Sequence, residues 1–385
     1  MRVVIAPDSF SGTLTAVAAA QALADGWRRH SPDDDLDLCP LSDGGQGFVD
    51  ALSAALDGRL VPIEATGPAG DPALAVVFIT STQSAAYVES SQVCGPDLVP
   101  ADRRDPLCAS SFGLGTLIGA AVADGARRVV VGVGGVVTND GGAGLLAGLA
   151  TALEVPGATG LTTRLAHGGA ALRGLVAEDL AALNPLRERM AGVELVAATD
   201  SDVVLLGFKG VSALHAAAKG ATPEQAQELD LALADFARAA VDATGQPQRL
   251  VAEAGSGAGG GLGFALLLLG ATREIGAALV AGQVGLAGRL AGAGLAVTGE
   301  GDLDWQSLHG SVLTAVTRAA QEAAVPTVVV AGQVQVGRRE LLSVGVESAY
   351  PVARNPAEVA ASLADPAAAL AARAERVART WSPRR

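Results

Sequence analysis

The chain has 385 residues, half of them hydrophobic and 17% charged, with 40 Asp and Glu against 27 Lys and Arg for a net charge of −13. At this length two domains are the better expectation, and the apolar content supplies a large core. The acidic balance speaks against nucleic acid or an anionic membrane as a partner, and 3% aromatics leaves little for base-stacking platforms. Any phosphate must then be met by backbone donors, a few placed cations or a metal. Cys39, Cys94 and Cys108 form no CxxC pattern and cannot all pair, as expected of a reduced, cytoplasmic protein. The apolar run at the N-terminus is too short for a signal segment, and the longest run, residues 262–271, is about half of a membrane span.

Val3, Val4 and Ile5 open the chain as a buried strand that ends at Pro7-Asp8-Ser9. Thr13 or Thr15 can cap a helix running to about His30, with Leu14, Val17, Ala18, Leu23 and Trp27 as its apolar stripe. Residues 36–39 form a second strand, followed by the turn Asp43-Gly44-Gly45-Gln46-Gly47 and a helix over 49–56. This βαβα rhythm implies a parallel sheet with ligands at the carboxyl ends of its strands, where Asp8 and Asp43 lie. From 60 to 89 the texture changes to short strand runs (60–65, 75–79, 85–89) without helices, the entry into a second domain.

Helix 112–124 and strand 128–133 lead to Gly132-Val133-Gly134-Gly135-Val136-Val137-Thr138-Asn139-Asp140-Gly141-Gly142-Ala143-Gly144. With the helix 145–153 behind it, this is strand, Gly-rich turn and helix N-terminus, an arrangement that binds anions through free N–H groups and the helix dipole. It fails the dinucleotide fingerprint, because Val137 stands where the last glycine belongs. Residues 155–160 and 167–169 read as loops. Strand 193–198 ends at Thr199-Asp200-Ser201-Asp202, a helix spans 224–243, and the glycine cluster 255–261 opens the helix 262–269. Strand 295–297 leads into Thr298-Gly299-Glu300-Gly301-Asp302-Leu303-Asp304, helix 312–322 and strand 327–330 restore the opening rhythm, and an Ala-rich helix 358–379 closes the chain. The expected fold is α/β: one doubly wound parallel-sheet domain from both chain ends (1–64 and 280–385), interrupted by the middle of the chain (65–279). The four histidines, His30, His167, His215 and His309, show no metal-ligand spacing.

Seven stretches, in this order and spacing, resemble the class I glycerate kinase family from near the first residue to about residue 335. They are Ala6-Pro7-Asp8-Ser9-Phe10, Asp43-Gly44-Gly45, Ser110-Ser111-Phe112-Gly113-x-Gly115 and Gly134-Gly135-x-x-Thr138-Asn139-Asp140-Gly141-Gly142. The other three are Lys219-Gly220-Ala221-Thr222-Pro223-Glu224, Ala258-Gly259-Gly260 and Thr298-Gly299-Glu300-Gly301-x-x-Asp304-x-Gln306. The resemblance implies a Rossmann-like α/β domain made from both chain ends, a second α/β domain inserted into it and the active site in their cleft. It also implies transfer of the ATP γ-phosphoryl group, with Mg²⁺, to D-glycerate or a related small hydroxy acid. The product would be 2-phosphoglycerate. A homo-oligomer is compatible with it.

On that resemblance Asp200, Asp8 and Asp43 are the candidate catalytic acids, and Asp200, Glu300 and Asp304 the candidate metal ligands. Ser9, Gly44, Gly45, Ser110, Ser111, Gly134, Gly135, Thr138, Asn139, Asp140, Lys219, Gly259 and Gly260 are the candidate substrate and phosphate contacts. Plainer roles stand beside these: turn-forming Asp, N-capping Ser, a helix-capping Asp200 and solvated loop acids at 300 and 304. The chain also departs from the family, with Ser11, Asp302 and Ser311 where Lys, Arg and Lys are usual. Phosphoryl transfer runs on positioning and charge neutralisation, and losing one such clamp costs on the order of 100-fold. Arg103, Arg104, Lys209 and Lys219 are the nearest substitutes along the chain. The losses raise a rival expectation, a pseudokinase that binds small molecules without turnover.

Overall fold

The computed structural model describes residues 1–10, 12–81 and 84–382, so Ser11 lies outside the described residues. The chain begins with β1 (Arg2–Ile5), whose Val3, Val4 and Ile5 are fully buried, as a central parallel strand requires. Thr15 caps the helix Ala16–His30 by accepting from the Ala18 N–H at 3.1 Å. The buried face of this helix carries Ala16, Ala19, Ala20, Leu23 and Trp27, while Val17 is exposed, so the apolar stripe lies a step round from the expected one. After β2 (Asp35–Leu38) and the helix Phe48–Ser53 come β3 (Gly58–Thr66), β4 (Pro72–Thr80), β5 (Ala85–Glu89), β6 (Arg128–Gly132), β7 (Glu194–Ala198) and β8 (Thr272–Glu274). The chain closes with β9 (Leu295–Thr298), β10 (Asp302–Leu303), β11 (Thr327–Ala331), β12 (Gln333–Val334) and β13 (Val346–Pro351). Two compact units result, one of residues 1–43, 50–56 and 275–385, the other of 44–49 and 57–274.

The first unit holds a parallel sheet in the order β13-β11-β9-β1-β2. Counted along this unit alone the order is 2-1-3-4-5, a doubly wound sheet whose winding reverses between β1 and β9. Such a switch point leaves a crevice at the strands' carboxyl ends, where open α/β sheets take their ligands. The single closing helix expected from the sequence is two, Pro356–Ala364 and Pro366–Trp381. Pro366 has no N–H and disfavours helical backbone at the residue before it. Asp365 instead caps the second helix, accepting from the Ala368 N–H at 3.1 Å.

The second unit holds a six-stranded sheet, β3-β4-β5-β6-β7-β8, antiparallel from β3 to β5 and parallel from β5 to β8. β3 pairs with β4 along its whole length, so residue 64 lies inside a strand of this unit; the chain passes between units at 56/57 and 274/275, besides the short excursion of 44–49. Residues 155–160, expected as loop, run into the helix Ala158–Leu165, whose Leu161 and Leu165 form a buried i, i+4 pair. The helices Phe112–Ala123 and Ala143–Ala152 pack backbone against backbone. A Cβ on Gly115 would sit on the carbonyl oxygen of Leu145, and one on Gly148 on that of Phe112. Among the described residues no helix is long and apolar enough to cross a membrane.

This close helix contact is testable. Gly148→Ala should destabilise the second unit by about 1–3 kcal/mol through overpacking. Gly160→Ala, a helical glycine with open space around it, should be neutral or stabilise by up to about 1 kcal/mol. Equal midpoints for the two variants in calorimetry would contradict the contact.

Candidate active site

In the first unit the two strand ends at the switch point are tied together. The Ala6 N–H donates to the Val297 carbonyl at 2.7 Å, the Asp8 N–H to the Gly299 carbonyl at 2.8 Å, and the Thr298 hydroxyl to the Ala6 carbonyl at 2.7 Å. This holds Asp8, Ser9 and Glu300 at the mouth of the crevice. Asp8 is half-buried and its Oδ1 accepts from the Ser9 N–H at 2.6 Å. Burial raises its pKa well above the ordinary carboxylate value, and the charges of Asp43 and then Glu300 push the same way. Burial likewise pushes Glu300 up to about 7, with Asp304, Asp43 and Asp302 adding to the rise. The Ser307 hydroxyl opposes it by donating to Glu300 Oε2 at 2.8 Å. Asp8, Asp43 and Glu300 are thus within electrostatic reach of one another.

Asp304 is used differently. Its Oδ1 accepts from the N–H groups of Gln306 and Ser307, at 2.7 and 3.3 Å, and shapes its own loop. Ser311 caps the helix Val312–Glu322 by accepting from the Thr314 N–H at 3.4 Å, a cap that a lysine here would remove.

In the second unit the glycine-rich stretch does meet a helix N-terminus, but the anion held there is the protein's own. Asp140 is fully buried. Its Oδ2 accepts from the N–H and hydroxyl of Ser111, both at 2.8 Å, and from the Gly144 N–H at 3.2 Å, while Oδ1 accepts from the Gly142 N–H at 3.0 Å. The Ser111 hydroxyl in turn accepts from the Leu145 N–H at 2.9 Å. The N–H groups of Gly142, Gly144 and Leu145 at this helix start are therefore occupied. Burial raises the Asp140 pKa, and the bonds from Ser111, Gly142 and Gly144 oppose the rise. Ser110 is nearly buried, and its hydroxyl accepts from the Phe112 N–H at 3.3 Å, a local turn.

Beside this anchor, the buried Lys219 donates through Nζ to the Thr138 carbonyl at 2.6 Å, and burial lowers its pKa to about 8 against the charges of Asp140 and Cys94. The Asn139 amide donates to the Ser212 hydroxyl at 2.9 Å. Asn139 Oδ1 and Thr138 Oγ1 are buried and have no hydrogen-bond partner among the described residues. Gly259, Gly260 and Gly261 all have left-handed backbone, with φ of 60°, 74° and 93°. A Cβ on Gly260 would collide with the Thr138 carbonyl and lie 3.0 Å from Lys219 Nζ, so only glycine leaves room for that pair. Gly135 is exposed, and the Gly134 N–H donates to the Ser90 hydroxyl at 3.2 Å. Asp200 is exposed just beyond β7, and its carbonyl accepts from Arg273 Nη2 at 3.4 Å.

Two residues escape the sequence reading. Glu89, nearly buried at the end of β5, accepts from the N–H groups of Gly47 and Val49 at 3.0 and 3.1 Å and so pins the turn that carries Gly44 and Gly45. Its only signal is an acid ending an apolar run. Arg273 places a cation beside Asp200 and pairs with Asp202 at 2.7 Å. It sits on a three-residue strand that has no sequence signature. Of the substitutes proposed from chain position, Arg104 is spent on the carbonyls of Val99 and Pro96 (3.2 and 3.0 Å), Arg103 and Lys209 are exposed, and Lys219 joins the Thr138 cluster. Among the described residues no group of three or more His, Cys, Asp or Glu is arranged to hold a metal ion.

The first unit carries carboxylates at the switch point of a doubly wound parallel sheet, and the second is a mixed-sheet α/β unit rich in glycine loops. The profile of the Glycerate kinase family matches residues 3–382. A glycerate kinase of Bacillus subtilis (strain 168) is 36% identical over 354 residues, which cover 91% of this chain and 90% of the relative. The glycerate 2-kinase of Escherichia coli (strain K12) is 35% identical over 333 residues, covering 86% and 85%. A crystal structure of a provisionally named glycerate kinase 2 from Salmonella typhimurium LT2 superposes with a TM-score of 0.77 at 32% identity, covering 99% of this chain and 98% of that one. The chain belongs to the glycerate kinase family, kinases that transfer phosphate to a hydroxyl acceptor and use ATP.

The raised Glu300 pKa gives a pH test. The folded state keeps this proton up to about pH 7, whereas an ordinary glutamate releases it at 4.5, so stability falls as pH rises between the two. Glu300→Gln removes the penalty. Its midpoint should exceed the wild type's at pH 8 and nearly match it at pH 5, at roughly 2–4 °C per kcal/mol recovered. A difference independent of pH would contradict the burial of this charge.

Proposed function

We propose that the chain catalyses the Mg²⁺- and ATP-dependent phosphorylation of D-glycerate at its 2-hydroxyl, giving 2-phosphoglycerate. The carrying observation is the pair Asp8 and Glu300 at the β1/β9 switch point, desolvated and pushed toward the protonated state by neighbouring acids. Family membership and the names of the E. coli and B. subtilis relatives support the substrate.

The donor set fits a hard divalent cation, since Asp8, Asp43 and Glu300 offer only oxygens. Without a three-acid cage, phosphate oxygens and water must complete the shell, as they do for Mg²⁺. Glu300, with Asp8 or Asp43, is the proposed metal-holding group, and Asp304 shapes its loop. When bound, Mg²⁺ neutralises charge on the phosphoryl oxygens. Asp200 is the proposed acceptor of the hydroxyl proton. Lys219 and the Thr138 hydroxyl are proposed to meet the substrate's anionic group and Asn139 Oδ1 to accept from its hydroxyl, because their loop carries a buried ammonium and two buried oxygens with no partner among the described residues. Ser9, Gly44, Gly45, Ser110, Gly134, Gly135, Gly259 and Gly260 shape the surrounding loops, and Asp140 and Ser111 are positioning residues.

The two units are the proposed domains, the partner is a small hydroxy acid, and the proposed location is the cytoplasm. A homo-oligomer is compatible with this reading and enters none of its steps. The three departures from the family pattern, Ser11, Asp302 and Ser311, are what favour the rival, a binding module without turnover.

A coupled ADP-release assay with D-glycerate and Mg-ATP should show turnover, and Asp200→Ala should lower it by on the order of 100-fold or more. No ADP release above that variant, across several hydroxy acids, would leave the rival in possession.

A further inference from the structure

We infer that the adenosine end of ATP docks in a pocket of the first unit beside the switch point, with Asp302 as the acceptor for its ribose hydroxyls. The inference rests on the kinase reading for the identity of the nucleotide, but the pocket stands on its own geometry. A cavity of about 210 Å³ opens at the carboxyl ends of β9, β11 and β13. Its apolar wall is made by Phe10, Leu14, Val352, Val359, Leu363 and Leu370. Whole drug-sized ligands fill roughly 300–1,000 Å³, so this space takes one ring system rather than a complete nucleotide. Leu363 is 57% exposed at its rim, an apolar group left in water that a flat heteroaromatic base would cover.

The floor is rigid. Gly332 and Gln333 donate their N–H groups to the carbonyls of Glu300 and Gly301 at 3.1 and 2.9 Å, and the Ala353 N–H donates to the Gly332 carbonyl at 3.0 Å. These bonds set Asp302 opposite Gln333 in the short β10–β12 ladder. The Gln333 amide donates to Asp302 Oδ1 at 3.0 Å, which fixes the carboxylate, and Oδ2 has no partner among the described residues. Asp302 is exposed at the edge of the pocket, and Thr13, Gln333 and Ser362 are the other polar side chains of its lining.

The charge of Asp302 decides which part of a nucleotide it can meet. A carboxylate repels phosphate oxygens and accepts hydrogen bonds from vicinal hydroxyls, the use open nucleotide-binding sheets make of a strand-end acid. With the base in the pocket and the ribose at Asp302, the phosphates run along 299–301 toward Glu300 and Asp8. The aspartate that stands where the family usually has arginine is then a gain of ribose recognition rather than a vacated phosphate clamp.

Affinities for ATP and 2′-deoxy-ATP, measured by calorimetry with the wild-type chain without glycerate, test this separately from turnover. The wild type should prefer ATP by about tenfold. Asp302→Ala should weaken ATP by about tenfold and erase the preference. Asp302→Arg should weaken ATP as well, and Leu363→Arg should weaken both nucleotides equally. If glycerate turnover fails but this pattern holds, the functional proposal falls and the nucleotide pocket stands. Tighter ATP binding by Asp302→Arg, a ribose preference unchanged in Asp302→Ala, or no nucleotide binding at all would overturn the inference.

Discussion

The first unit is governed by one constraint: a doubly wound sheet must reverse its winding somewhere, and here it does so between β1 and β9. The reversal opens a crevice, and the hydrogen bonds from Ala6, Asp8 and Thr298 lock its two lips. Asp8 and Glu300 cannot move apart to relieve their repulsion, and burial denies them the solvent that would screen it. Desolvated like charges of this kind make a site that gains from a cation and from the phosphates it brings. The same frame holds the neighbouring loops at 299–303 and 331–334 in register, so the acids and the apolar pocket form one preorganised surface.

The second unit solves a different problem with the same chemistry. Two helices begin close together, and their first N–H groups need an acceptor. Asp140 supplies one internally, so the helix dipole that could hold a ligand anion holds a carboxylate of the chain instead. That anchor fixes the backbone of Thr138 and Asn139, whose side-chain oxygens lie buried near Lys219 without a partner among the described residues and are the contacts proposed for a substrate. The glycines at 115, 148 and 260 serve this packing by letting main chain lie against main chain.

Much of this was legible in the sequence because apolar runs bounded by Gly, Asp and Ser mark buried parallel strands. β1, β6, β7, β9 and β11 fall where those runs are, and the glycine-acid motifs carried the family. Roles at single residues were less legible. Asp140 looks like a ligand-facing acid, since sequence cannot reveal that Ser111, twenty-nine positions earlier, donates twice to its Oδ2. Ser311 looks like a lost lysine, yet it is a helix cap. Glu89 and Arg273 act across strands, through register that only the folded sheet defines. The break at Pro366 is written in the sequence, where Ala-rich segments favour helix on both sides of a proline that cannot continue one.

The proposed chemistry is met most directly by identifying the product. Phosphorus and proton NMR of D-glycerate incubated with Mg-ATP and the wild-type chain should show a new phosphate monoester coupled to the C2 proton. The signal should be absent for Glu300→Gln at the same protein concentration. A spectrum with only ATP and its hydrolysis products, or an ester coupled to the C3 protons, would contradict transfer to the 2-hydroxyl.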